Sequence, residues 1–134
     1  MKKMTLVVIS IFVSPIYAEG LTGNELLNMC ETGTDMQCER FIEGVVAGAR
    51  AEQAIRIGTV RGIYEGLLTS QGTEGARRVV SQVPALCLRP DTAVTTIKQD
   101  VLNYARSMPE RAKGSAGSLV YDALQATYGC NLQF

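Results

Sequence analysis

The chain has no histidine and no tryptophan, and aromatic residues make up only 6% of its 134 positions. Without histidine, neither a Ser/His/Asp nor a Cys/His nucleophilic arrangement can be assembled, and a switch near neutral pH loses its usual residue. No Cys-x-x-Cys occurs, which removes the common zinc spacing and the dithiol redox centre together. No apolar run approaches the roughly 18 residues that read as a membrane span. Neither sign of charge dominates, with 13 Lys and Arg against 13 Asp and Glu. There is no basic stripe for nucleic acid or an anionic membrane. The glycines lack the following Lys-Ser/Thr of a phosphate loop. Paired carboxylates remain in Glu31, Asp35, Glu39 and Glu43, but Glu39 and Glu43 stand one helical turn apart, opposite an apolar face, where such residues are normally solvated. The sequence therefore predicts no enzyme, no cofactor and no metal.

What is present begins with an export signal. Lys2 and Lys3 precede an apolar core, Leu6 to Val13, and Ile16-Tyr17-Ala18 offers a cleavage site, so residues 1–18 read as a secretory signal peptide. The alternative is a buried N-terminal helix. Cleavage leaves residues 19–134, the size of one domain, mildly acidic and without a dividing linker. Export to an oxidising compartment makes disulfides the expected state of Cys30, Cys38, Cys87 and Cys130. Three pairings are possible. Cys30 with Cys38 would close a tight connection between two helices, and Cys87 with Cys130 would tie the start of a helical hairpin to its end. In the chain-entropy account these loops contribute about 2.5 and about 4 kcal/mol before strain.

The periodicity is helical throughout. A capping box, Thr22-x-x-Glu25, opens a first helix that carries Leu26, Leu27 and Met29 into Cys30. A second begins near Thr34 or Asp35 with Cys38, Phe41, Ile42, Val45 and Ala49 on one face. After Pro90 and Asp91, a start signal, Val94, Ile97, Val101, Tyr104 and Met108 recur at steps of three and four. Beyond Pro109 and Gly114, Ala116, Leu119, Val120, Ala123, Leu124 and Thr127 line another stripe, opposite Ser118, Asp122 and Gln125. These last two helices should pack as an antiparallel hairpin. The expectation is an all-α, single, small, disulfide-stapled domain of about five or six helices with no sheet.

The segment 51–83 carries the least ordinary pattern. Ile57, Val60, Tyr64, Leu67 and Leu68 form a stripe that should face the core, while Gly58, Gly62 and Gly66 fall on the opposite side. Each glycine inside a helix costs about 1 kcal/mol relative to alanine, so three in register suggest close approach of something. That partner is a second protein chain, or another helix of the same domain; a third alternative is that the segment is not one continuous helix. Arg56, Arg61 and Glu65 exclude a membrane contact. Thr69 to Gly75, including Ser70, Gln71, Gly72 and Thr73, reads as an exposed loop that either connects helices or enters a partner's cleft. A short helix with Ala76, Val79, Val80 and Val83 inward, ended by Pro84, follows it.

Several of these residues also carry a family resemblance. Leu26-Leu27-x-x-Cys30, Cys38-x-x-Phe41-x-x-Gly44, Cys87-x-x-Pro90, Val94-Thr95, Gln99, Val101 to Tyr104, Pro109, Ala116-x-x-Leu119-Val120-x-x-Ala123-Leu124 and Cys130 together resemble the Rap/Tai family of type VI secretion immunity proteins. The pattern departs at Phe41, where tyrosine is common, at Ala49-Arg50, where aspartate is expected, and at Gly129, where proline often stands. The resemblance implies a small helical periplasmic protein, often a homodimer, that binds and sterically blocks a peptidoglycan amidase toxin. Partner contact at Gly58, Gly62 and Gly66 is an expectation of the helical spacing alone, whereas for Ser70, Gln71, Gly72 and Thr73 the resemblance adds that family members plug a partner's cleft with a projecting loop. A general periplasmic chaperone or structural envelope protein shares export, helices and disulfides, and is the alternative.

Overall fold

Thr22 stands at the head of the first helix, α1 (Gly23–Glu31), and the capping box closes there in both directions. The Glu25 backbone N–H donates to Thr22 Oγ1 at 3.2 Å, and the Thr22 backbone N–H donates to Glu25 Oε2 at 2.8 Å. The Thr22 backbone N–H and, after it, the Thr22 hydroxyl, which also donates to Glu25 Oε2, hold the Glu25 carboxyl below its ordinary value. The computed structural model describes residues 20–33 and 35–134. The expected signal peptide, residues 1–18, lies outside them.

Among the described residues four α-helices follow one another: α1, α2 (Asp35–Val80), α3 (Val94–Ser107) and α4 (Ala116–Tyr128). A 3-10 turn, Pro109–Lys113, joins α3 to α4, and two short strands, β1 (Pro84–Leu86) and β2 (Gly129–Asn131), pair antiparallel with Ala85 opposite Cys130. The fold is thus mostly helical, but it corrects the sequence reading twice. There are four helices rather than five or six, because nothing near residue 50 breaks the chain; two expected helices run on unbroken to Gly72, and α2 resumes beyond a kink there. A small sheet is present where none is expected, and its strands are too short to show an alternating pattern.

The main core is built where the sequence places it. Leu26 and Cys30 of α1, Cys38, Ile42, Val46 and Ala49 of α2, Ile97 and Val101 of α3, and Val120, Ala123 and Leu124 of α4 form one buried cluster. Leu26 and Ile42 are fully enclosed, so truncating either to alanine should cost about 2 to 5 kcal/mol. Thr127 and Met108, read as inward, lie on the surface. α3 starts at Val94, after an Ala93 that makes no side-chain cap, and Asp91 pairs instead with the Arg89 guanidinium at 3.0 Å.

Cys30 is bonded to Cys38 and Cys87 to Cys130, the pairing that the helical hairpin argument favours. The first bridge lies inside the main core, while Cys87 of the second is exposed and Cys130 half-buried. The second bridge joins the residue after β1 to the middle of β2. On its other side β1 is held by a side chain: Gln53 Nε2 donates to the Leu86 carbonyl at 2.5 Å, and the Leu86 N–H donates to Gln53 Oε1 at 2.6 Å. Gln53 thereby serves Leu86 as a neighbouring strand would.

Candidate protein-binding surface

α2 outgrows the body of the domain. At 1.5 Å per residue its stretch from Asp35 to Gly72 is about 55 Å long, whereas α3 and α4 are each about 20 Å. The main core accounts for α2 only as far as Ala49. Past that point a satellite cluster takes over, formed by Val60, Val80, Ala85 and Leu132, with Ile57, Tyr64, Val83 and Cys130 packed against it. Val60 and Val80 meet because the chain reverses at Gly72, whose backbone is non-helical at φ 72° and ψ 177°. That region of backbone space is essentially reserved to glycine. Gly75 completes the reversal, since a Cβ there would stand 2.8 Å from Gln71 Cβ. The result is a helical hairpin whose tip reaches beyond both cores.

The tip corrects the reading of residues 69–75. Those residues are helical on either side of the single break at Gly72 rather than an open loop. Their composition is turn-like, but burial of Ala76 and Val80 against the first arm favours continuing both helices up to the break. Ser70, Gln71, Gly72 and Thr73 are nonetheless all exposed, and they stand together at the far end of the hairpin. Val79, expected to face inward, is 43% exposed.

The glycine face is open. Nothing lies within 4 Å of a Cβ built at Gly58, Gly62 or Gly66, and the helix runs unbroken through them. Packing against another helix of the same domain, and a break in the segment, are therefore both excluded as explanations. The opposite stripe faces the satellite core as expected, with Val60 buried and Ile57, Tyr64 and Leu67 half-buried, while Leu68 is 37% exposed. Ile55 and Ile63 stand in solvent at 73% and 52% exposure. Sequence reading did not single out Ile63; its place beside the glycine face on the helical wheel was the available signal.

Electrostatically this end of the molecule is mixed. Arg61, Glu65, Glu74, Arg77 and Arg78 are exposed around the hairpin. Among the described residues no helix is long and apolar enough to cross a membrane, and no group of three or more carboxylates, cysteines or histidines is placed to hold a metal ion. The arrangement offers shape and apolar contact.

The sequence profile of the Rap1a immunity proteins matches residues 22–130, from the capping threonine to the last cysteine, and the chain belongs to that family. Membership implies a role in immunity against a type VI effector and a toxin as binding partner. Comparison with curated proteins and with solved structures returned no match.

Proposed function

We propose that the chain is a periplasmic immunity protein that neutralises a peptidoglycan amidase toxin by occluding its active site, using the α2 hairpin as the inserting element. The observation that carries this reading is the hairpin itself: it extends beyond both hydrophobic cores, exposes Ile63 and Leu68, and presents Ser70, Gln71, Gly72 and Thr73 at its end. A narrow double helix with a polar tip and apolar flanks suits a concave site, where the flanks gain burial and the tip meets polar groups. Gly58, Gly62 and Gly66 supply a surface on which a second protein chain can approach to backbone distance, and the protein acts as a homodimer. Export by residues 1–18 delivers it to the periplasm, where both disulfides form.

The test is protection. Cells expressing the full chain should survive a periplasmic amidase effector of the type VI class, and cells expressing residues 19–134 without the signal should not. Purified protein should form a defined complex with that amidase and abolish its hydrolysis of peptidoglycan. Failure of both, together with suppression of aggregation of unrelated unfolded proteins, would replace this reading with a general periplasmic chaperone.

A further inference from the structure

The second arm of the hairpin and the C-terminal tail leave a groove between them, open to solvent and about 500 Å³ in volume. One wall is Glu74, Arg77, Arg78 and Ser81 of the arm, and the other is Leu132, Gln133 and Phe134 of the tail. The tail wall is apolar apart from Gln133. Leu132 belongs to the satellite core at 9% exposure, and Phe134, stacked on Tyr64, keeps 37% of its surface exposed. The arm wall is basic. Arg77 meets Glu74 only at 4.0 Å, with both side chains more than half exposed, and a pair of that kind contributes about 0 to 1 kcal/mol. Arg78 is exposed and has no ion pair among the described residues. Two guanidiniums thus line the groove against one carboxylate, which is only loosely held.

The tail wall is also fixed in advance. The Leu132 N–H donates to the Val83 carbonyl at 3.0 Å, β2 is paired to β1, and Cys130 is bonded to Cys87. A preformed groove spares a ligand the entropy of ordering its site.

We propose that this groove receives an extended acidic segment of a partner protein, with carboxylates on Arg77 and Arg78 and an apolar side chain against Leu132 and Phe134. Charge complementarity selects the carboxylates, since a planar guanidinium forms paired hydrogen bonds with them. The apolar wall selects a peptide over a simple anion, which would use the arginines and leave that wall uncovered. The groove begins at Glu74, beside the hairpin tip, and runs down the second arm; the proposal does not depend on the partner being an amidase.

The experiment is an NMR titration of the ¹⁵N-labelled protein with the blocked peptide acetyl-Glu-Leu-Glu-Phe-Glu-amide. The lysine version of that peptide and inorganic phosphate serve as parallel arms. Saturable shifts should appear at the Arg77 and Arg78 side-chain N–H groups and at the Leu132 to Phe134 amides. The lysine peptide should leave them unmoved. The apparent affinity should fall about tenfold or more in the double variant Arg77→Glu, Arg78→Glu, as expected when rim charges are reversed. The spectrum of that variant outside the groove reports that it is folded. No shifts with the acidic peptide, shifts located elsewhere, or equal shifts with the lysine peptide would overturn the proposal. Equal response to phosphate would reduce the groove to a general anion site and overturn the peptide assignment.

Discussion

The ring of Tyr64, on the first arm of the hairpin, stacks on that of Phe134, with centroids 5.3 Å apart and planes 17° from parallel. The contact joins residues far apart in the chain and ties the tail to Tyr64, which packs against the satellite core of Val60 and Val80. An aromatic pair of this geometry contributes about 0.5 to 1.5 kcal/mol beyond its buried area. Phe134→Ala should therefore speed amide hydrogen exchange in residues 73–83 and leave α1, α3 and α4 unchanged, because the main core does not use that ring. Uniform loss of protection across the domain would show that the two cores unfold as one unit.

Gly62→Leu enters open space. A Cβ there has no packed neighbour within 4 Å, and leucine has the better helix propensity by about 0.8 kcal/mol. The melting temperature should hold or rise slightly, while self-association or toxin binding weakens, because the leucine keeps two backbones apart. Calorimetry and sedimentation of the same variant check the two halves. Unaltered assembly and unaltered toxin binding would leave the glycine face as plain solvent surface.

Gly72→Ala should be the most damaging substitution at the tip. A Cβ at φ 72° and ψ 177° strains the backbone, at a cost of about 1 to 3 kcal/mol. The strain is relieved by straightening the break, which would draw Val80 away from Val60. Circular dichroism should show helix content retained while hydrogen exchange in residues 73–80 rises. An alanine variant with native exchange in that arm would show that the reversal does not need glycine.

Tyr128 supplies a pH test at the α3–α4 contact. Its hydroxyl donates to the Asp100 carboxylate. Burial first, then that hydrogen bond and the carboxylate's charge, push its pKa up to about 12. The folded value lies above the unfolded one, so the stabilisation is complete below pH 10 and is lost as pH rises from 10 through about 12. Tyrosinate absorbance should show the Tyr128 ring titrating late, near pH 12. In Asp100→Asn it should titrate earlier yet stay above its ordinary value, because burial, the larger cause, remains. Titration of Tyr128 at its ordinary value of 10 in the native protein would contradict this.

The parts of the fold legible in the sequence are those set by local signals. Thr22 and Glu25 announce a helix start wherever they stand in that spacing, and the apolar stripes of α3 and α4 dictate a hairpin that brings Cys87 to Cys130. Gly58, Gly62 and Gly66 could be placed on one outward face from the helical angle alone. Residues 69–75 misled because Gly, Ser, Thr and Gln favour turns locally, whereas their conformation is decided by Val60, Val80 and Leu132, which are far apart in the chain. The sheet and the Gln53 contact were invisible for the same reason. Three-residue strands carry no period, and nothing about a glutamine in the middle of a helix says which backbone it will meet. The groove beside Arg77 and Arg78 likewise depends on where the tail lies.

The contact of Gln53 with Leu86 bears on how the protein behaves in a crowded compartment. A strand with unpaired backbone groups is a template onto which another chain can add, and folded proteins blunt such edges by charge, kinks or cover. Here one side-chain amide occupies the outward N–H and carbonyl of Leu86, the last residue of β1. A strand of three residues has few other groups to offer, so this edge is shut against fibrillar growth without any additional secondary structure. An extended segment seeking to lengthen the sheet is left only the outer edge of β2.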